Sequence, residues 1–369
     1  MTAPSSILET PLASLHRKNG AKMGLWFGCD LPDRWESPEA EEKFARTSVA
    51  LIDKNYRSYF SFTGPDRVRY VNAILTNNIK DLAPGHGNVS LLLNPQGRIL
   101  AEIETYAFAD KLFCVSYAMI RESLLETIEK FIIMDDVTLT DETDLYGTLA
   151  LEGPKAATVV SELTGVDLAK IDDLVSTDAS IAAIPCRIVK ISPGGIPGAE
   201  FVVQRHQLES LWNLLEPAVR RHAGGPIGCS AFSAHRLAQG VPWFGYDFGE
   251  KQIPHEAGLQ DSHISYTKGC YTGQEIVERV RSRGQVNRRR VHLIFSGATV
   301  PASGESLIVN GTQVGYVTRA AMLYSFGSPI GMGYVRKENN ALGSELHWAG
   351  GAARVAKFPE DLSAANPKK

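Results

Sequence analysis

The sequence predicts an α+β chain of two related lobes followed by a small all-β domain, and three observations carry that expectation. Short strand-like runs such as Ser58-Tyr59-Phe60-Ser61-Phe62, Val89 to Leu93 and Ile103 to Phe108 alternate with segments of helical period, with Gly and Pro between them. A second set of the same kinds of element then follows. After Gly284 the helical period disappears and short strands are punctuated by Gly304, Asn310-Gly311, Gly315, Gly327 and Gly331.

In the first lobe, Val68, Val71 and Leu75 share one face of a helix starting near Pro65-Asp66, and Ile120, Leu124, Ile128 and Phe131 do the same for a helix from Met119 to Phe131. In the second, Pro154 to Leu163 and Leu208 to His222 read as helices, and Ile184 to Ile191 and Phe201 to Val203 as strands. The repetition is one of element order, with no strict sequence repeat. In the last part Asn310-Gly311 is a two-residue hairpin signal, and the whole reads as a partly open barrel. The domain boundaries expected are 1–284 for the two interleaved lobes and 285–369 for the barrel, with the charged end from Glu360 to Lys369 frayed.

With 369 residues the chain exceeds one ordinary core. Its formal charge of −3 argues against binding nucleic acid through the whole surface. No stretch has the length of a membrane span or the h-region of a signal peptide, so a cytoplasmic protein with reduced thiols is expected. The cysteines, Cys29, Cys114, Cys186, Cys229 and Cys270, form no Cys-x-x-Cys pair, and no self-contained metal site is expected. Cys114 and Cys186 read as buried strand residues.

The chemically suggestive stretch is Lys268-Gly269-Cys270-Tyr271-Thr272-Gly273-Gln274-Glu275. Thr272 and Glu275 have capping-box spacing and Ile276, Val277 and Val280 supply an apolar face, so a helix is expected to begin at Thr272. The helix dipole and the Lys268 cation would then favour a Cys270 thiolate. A buried structural cysteine is the plain alternative. Dinucleotide, P-loop and nucleophile-elbow motifs are missing, which removes nucleotide and serine-hydrolase chemistry. Arg279, Arg281, Arg283 and Arg288 to Arg290 form a cationic run. Its default role is a solvated face, with anionic ligand tails or RNA phosphates as the functional options, and no RNA-binding module supports the latter. His255 and His263 lie near Cys270 in sequence and are candidate activators of it.

The octapeptide resembles the signature of the YgfZ family, folate-binding relatives of the glycine-cleavage T-protein associated with iron–sulfur cluster assembly. Further landmarks of that superfamily follow in order: Gly20 to Met23, Phe62 to Asp66, Leu75-Thr76-Asn77-Asn78, Asn94-Pro95-Gln96-Gly97, Leu151 to Pro154 and Pro254 to Leu259. The resemblance implies a T-protein-like fold, two α+β lobes plus a C-terminal β-barrel around a central folate cleft. It implies tetrahydrofolate or a one-carbon derivative as cofactor, a reduced and possibly polyglutamylated folate, and iron–sulfur proteins or assembly factors as partners. No membrane or nucleic-acid partner is implied. Cys270 and Lys268 would carry the chemistry, and Glu200, Arg236, Glu102 and Asn94 would hold the folate, with Glu200 as the pterin's carboxylate. The T-protein has two consecutive aspartates where this chain has Ala101-Glu102, and strand alternation turns Glu102 away from the side of position 101. Glycine-cleavage chemistry is therefore not expected. The rival expectation is an aminomethyltransferase or demethylase working through Glu102, and a third is a folate-binding scaffold with an inert Cys270.

Overall fold

A computed structural model describes residues 7–284 and 286–364. The chain forms two compact units, the first from Met1–Leu92, Ala101–Ala231 and His263–Thr272, the second from Leu93–Leu100, Phe232–Ser262 and Gly273–Lys369.

The first unit opens with β1 (Leu8–Glu9), β2 (Lys22–Trp26) and β3 (Cys29–Arg34) in the order β1-β3-β2. Next come β4 (Ala50–Asp53), β5 (Arg57–Thr63), β6 (Gly87–Leu93), β7 (Ile99–Ala107), β8 (Leu112–Tyr117) and β9 (Thr138–Asp141). The remaining strands are β10 (Tyr146–Glu152), β11 (Ser176–Ile181), β12 (Ile184–Ile191), β13 (Gly198–Gln204) and β14 (Gly225–Pro226). Two sheets result, β6-β7-β8-β5-β9 and β11-β12-β13-β10-β4-β14. These are the two expected lobes, and the expected helices form at Arg67–Ile74, Arg121–Glu129, Ala156–Thr164 and Leu208–Arg221.

The second sheet is covered by the last two helices, which bury Val159, Val160, Leu211, Trp212, Leu215 and Val219 against Leu149, Leu151 and Phe201. At about 1.5–3 kcal/mol for each fully buried large apolar side chain, this core supplies much of the unit's stability. A second cluster joins the two sheets, with Tyr59, Tyr106, Phe113 and Val115 from one and Val189, Ile191 and Val202 from the other. Because side chains alternate along a strand, the even-numbered residues around Tyr106 on β7 and around Val202 on β13 look into this junction. Glu104 and Glu200 follow from that register.

The second unit contains β15 (Arg288–Phe295), β16 (Ser306–Val309), β17 (Thr312–Leu323), β18 (Ser328–Arg336), β19 (Glu345–Trp348) and β20 (Gly351–Ala356). They close into a barrel in the order β15-β18-β17-β16-β19-β20. The expectation of a partly open barrel is corrected, because β20 pairs with β15 from His292↔Ala356 to Phe295↔Ala353 and leaves no edge there. Leu293, Phe295, Leu307, Val317, Val335 and Leu346 fill the interior. The chain end is corrected too: Glu360–Ala364 is helical, with Asp361 accepting from the Lys357 amide, while residues 365–369 lie outside the described part.

The hairpin β16–β17 turns at Asn310-Gly311 with φ of 50° and 75°, a two-residue turn in which both positions are left-handed. Asparagine tolerates that region better than alanine does. Asn310→Ala should therefore lower stability by about 1 kcal/mol in urea denaturation. An unchanged midpoint would show that the strain is absent.

Candidate functional site

Residues His263–Thr272 belong to the first unit although the segments on both sides of them belong to the second. Three anchors hold this strap. Thr76 Oγ1 donates to the His263 carbonyl at 2.7 Å and accepts from the Leu91 amide at 2.8 Å, and the Ser265 amide donates to the Thr76 carbonyl at 3.0 Å. Lys268 Nζ donates to the carbonyls of Asn72, Leu75 and, at 3.1 Å, Asn77. These are carbonyls at the end of the Arg67–Ile74 helix, where a cation meets the negative end of the dipole. Burial brings the Lys268 pKa down to about 8, so the ammonium still predominates at neutral pH. Its hydrogen bonds are spent on positioning the loop.

Cys270, at the far end of the strap, is exposed, whereas Cys29, Cys114, Cys186 and Cys229 are buried. The expected capping box beside it does not form. The helix runs Gln274–Arg283 with Gly273 as its N-cap at φ 81° and no side-chain cap. A left-handed turn at Gly273 delays the helix start by two residues, and a Cβ there would sit 2.7 Å from the Asn94 carbonyl oxygen, so the position needs glycine. Asn94 shapes that neighbouring turn: its Oδ1 accepts from the amides of Gln96 and Arg98 at 3.0 and 2.9 Å.

Strand β7 separates the two positions that replace the paired acids. Ala101 is fully buried on one face and Glu102 points to the other. Glu102 Oε2 accepts from the Tyr117 hydroxyl at 2.8 Å, and Oε1 lies 3.0 Å from His263 Nε2. On the same face Glu104 accepts from the Tyr106 hydroxyl at 2.8 Å and from Arg57 Nη2 at 3.1 Å. The Arg57 fork also binds both oxygens of Glu200, at 2.6 and 2.9 Å, and Lys54 Nζ donates to Glu200 at 2.7 Å and to Glu152 at 3.0 Å.

Glu200 is thus a buried member of an ion cluster, 2% exposed, with both oxygens engaged. Burial opposes its ionisation, yet the adjacent Arg57 and Lys54 together hold its pKa below the usual carboxylate range. Burial and the neighbouring Glu200 charge raise the pKa of Glu104. Three carboxylates, Glu104, Glu152 and Glu200, face two cations, Lys54 and Arg57, and Glu104 is the member left nearest to solvent.

Arg236 lies in the second unit, in the Cys229–Ala238 helix, buried and stacked 4.6 Å over the Phe232 ring. Three of the six arginines of the cationic run are paired with carboxylates of their own unit. Arg279 pairs with Glu275, Arg281 with Glu278 and Arg288 with Glu256, and Arg290 donates to the Ala257 carbonyl. The sequence reading missed Arg57, Lys54, Glu104 and Tyr117; the period-two spacing of Glu102, Glu104 and Tyr106 was the available signal.

Residues 12–263 match the GCVT N-terminal domain, and residues 288–357 match the glycine cleavage T-protein C-terminal barrel domain. The chain belongs to the glycine cleavage T-protein family. It is 28% identical to an aminomethyltransferase of Streptomyces avermitilis, over 91% of each chain, and 28% identical to one of Acidobacterium capsulatum, over 94% of this chain and 92% of that protein. The crystal structure of the glycine cleavage system aminomethyltransferase T from Bartonella henselae superposes with a TM-score of 0.87 at 23% identity, covering 96% of this chain and 98% of that one. The T-protein fold, two α+β lobes and a C-terminal six-stranded barrel, is the architecture of this chain. No helix among the described residues is long and apolar enough to cross a membrane.

Proposed function

We propose that this chain binds tetrahydrofolate in its first unit and acts as a YgfZ-type protein, supporting the assembly or repair of iron–sulfur clusters with Cys270 as its thiol. The observation that carries this reading is the placement of Cys270, the exposed cysteine of a strap pinned by Lys268 and Thr76 to the Leu75–Asn77 loop. A soft, accessible sulfur on a fixed loop suits thiol exchange or transient cluster contact. The buried methyl of Ala101, standing where the T-protein has an acid, supports the same reading.

The donor set fits a reduced folate. A pterin offers adjacent N–H donors, and the β7 face offers two carboxylates, Glu102 and Glu104, flanked by the Tyr117 and Tyr106 hydroxyls. Glu200 acts behind them by fixing Arg57. Bound tetrahydrofolate would supply a nitrogen that carries a one-carbon unit, and these residues would orient the ring. Calorimetry tests this: the wild-type protein should bind tetrahydrofolate saturably, and Glu104→Ala should weaken binding by about 1.5–3 kcal/mol through loss of a charged hydrogen bond. No heat of binding from the wild-type protein sinks the folate reading.

The second reading is aminomethyl transfer, favoured by the names of the relatives and by Glu102, a carboxylate one residue from the missing acid. The two readings part on one assay. The YgfZ-type reading expects no methylenetetrahydrofolate from an aminomethylated lipoyl carrier, and robust formation would establish the second reading in its place.

A further inference from the structure

We propose that the outer wall of the barrel carries a binding site for the phosphoryl group of a small phosphate ester, built from Arg288, Arg336 and Tyr316. The site lies wholly within the second unit and stands independently of the folate reading.

Strand alternation places these side chains together. Leu293 on β15, Val317 on β17 and Val335 on β18 point into the barrel, so Arg288, Tyr316, Tyr334 and Arg336 point out of it. The register sets Arg288 directly opposite Arg336 and Tyr316 directly opposite Tyr334. Residues paired in this way have Cβ atoms about 5 Å apart, and two like charges there destabilise the strand pair. The guanidinium of Arg288 lies 5.4 Å over the Tyr334 ring, and Tyr316 stacks on the same ring at 5.7 Å and 28°. Tyr334 is a fixed floor, because its hydroxyl donates to the Asp247 carbonyl at 2.9 Å. These four side chains, with Gln313 and Val314, line a cavity of about 230 Å³. That volume is below the range of about 300–1,000 Å³ that encloses drug-sized ligands, so the occupant is small.

The charges select its chemistry. Arg288 Nε donates to Glu256 Oε1 at 3.2 Å and Nη2 to the Lys251 carbonyl at 2.9 Å, while Nη1 has no protein acceptor among the described residues. Glu256 also faces Arg98 at 3.5 Å, so one carboxylate serves two arginines. Arg336 is exposed and, among the described residues, has no carboxylate partner. Three guanidiniums thus stand against one carboxylate and leave two positive charges unmatched. A phosphate monoester brings about −1.5 to −2 charges and three acceptor oxygens, enough to engage both facing forks, whereas a single carboxylate leaves one of them unmatched. The Tyr316 hydroxyl accepts from Gln252 Nε2 at 3.3 Å, which holds the phenol in place, and its ring offers an apolar surface to the carbon skeleton of the ester.

Calorimetry at low, fixed ionic strength tests the site, with phenyl phosphate and inorganic phosphate as probes and benzoate as the carboxylate control, since salt screens exposed arginines. The wild-type protein should bind phenyl phosphate saturably and one to one, more tightly than inorganic phosphate or benzoate. Arg336→Gln should weaken both phosphates by about tenfold or more, the loss of one charged hydrogen-bonding partner. Tyr316→Leu should cost phenyl phosphate more than inorganic phosphate. Thermal denaturation gives a second readout: phosphate should raise the melting temperature of the wild-type protein and not that of Arg336→Glu, which sets a carboxylate opposite Arg288. Absence of saturable phenyl phosphate binding by the wild-type protein overturns the proposal, as does an unchanged affinity in Arg336→Gln, benzoate binding as tightly as phenyl phosphate, or phosphate stabilising Arg336→Glu as much as wild type.

Discussion

Native protein treated with an alkylating reagent at pH 7.5 should be modified at Cys270 alone on the timescale of minutes, with the other four cysteines reacting only after unfolding. Burial pushes the thiol of Cys186 up to about 11 and those of Cys29 and Cys114 up to about 12, and raises Cys229 still more strongly. Relative to a free thiol near 8.5, each added unit removes about tenfold in thiolate, so these four hold on the order of a hundredth or less of the reactive form. Steric exclusion multiplies that difference, because all four are buried. Intact-mass analysis should show one fast adduct in the wild-type protein and none in Cys270→Ser. A second fast adduct would mean that another thiol opens readily. The functional consequence is sharper. Serine keeps the size and polarity of cysteine and loses the easily ionised sulfur, and Cys270 is exposed, so Cys270→Ser should change stability by less than about 0.5 kcal/mol. It should nevertheless fail to restore iron–sulfur enzyme activity in a deletion strain. Full complementation by the stable variant would rule out the thiol and leave the folate site as the seat of function.

The fold could be read from the chain because its signals are local. Apolar period gave the helices at Arg67–Ile74 and Leu208–Arg221, and two residues able to adopt positive φ gave the Asn310-Gly311 hairpin. Period two also places Glu102 on the face away from Ala101. Errors arose where a local signal met a distant constraint. Thr272 and Glu275 have the spacing of a cap, but the close approach of the Asn94 turn makes a left-handed Gly273 the better solution, and the helix starts later. Closure of the barrel likewise depends on β20 reaching β15, some sixty residues earlier, which no periodicity reveals. The site was legible only in parts. Leu75–Asn78 and Lys268–Cys270 stood out as separate landmarks, and the structure gives the physical reason they occur together: one supplies carbonyls and the other the ammonium that binds them. The Arg57 fork joins Glu104 and Glu200 across 47 and 143 positions, and an arginine in a strand carries no sequence mark of such partners.

That fork makes Arg57→Met the substitution with the largest expected cost in stability. Removing the guanidinium leaves Glu104, Glu152 and Glu200 facing Lys54 alone, with Glu200 2% exposed, and stranding buried charge in this way costs about 3–5 kcal/mol at pH 7. Glu104→Gln acts in the opposite sense: it keeps an acceptor for Tyr106 and Arg57 while balancing two carboxylates against two cations. The pH dependence separates the two acids. The folded-state pKa of Glu200 is depressed, so its contribution is present above the unfolded value of about 4.3 and is lost as pH falls through the folded value. The folded-state pKa of Glu104 is raised, so the native state binds the extra proton, and stability declines as pH rises from about 4.3 through that raised value. Glu104→Gln removes this decline, and at pH 8 it should be at least as stable as the wild-type protein, whereas Arg57→Met should lose most where all three acids are ionised and recover part of the loss toward pH 5. Urea denaturation at pH 5, 6.5 and 8 reads both effects. An Arg57→Met protein within about 1 kcal/mol of wild type at pH 8, or a Glu104→Gln protein destabilised there by more than that, would show that the cluster is solvated and not a buried ion network.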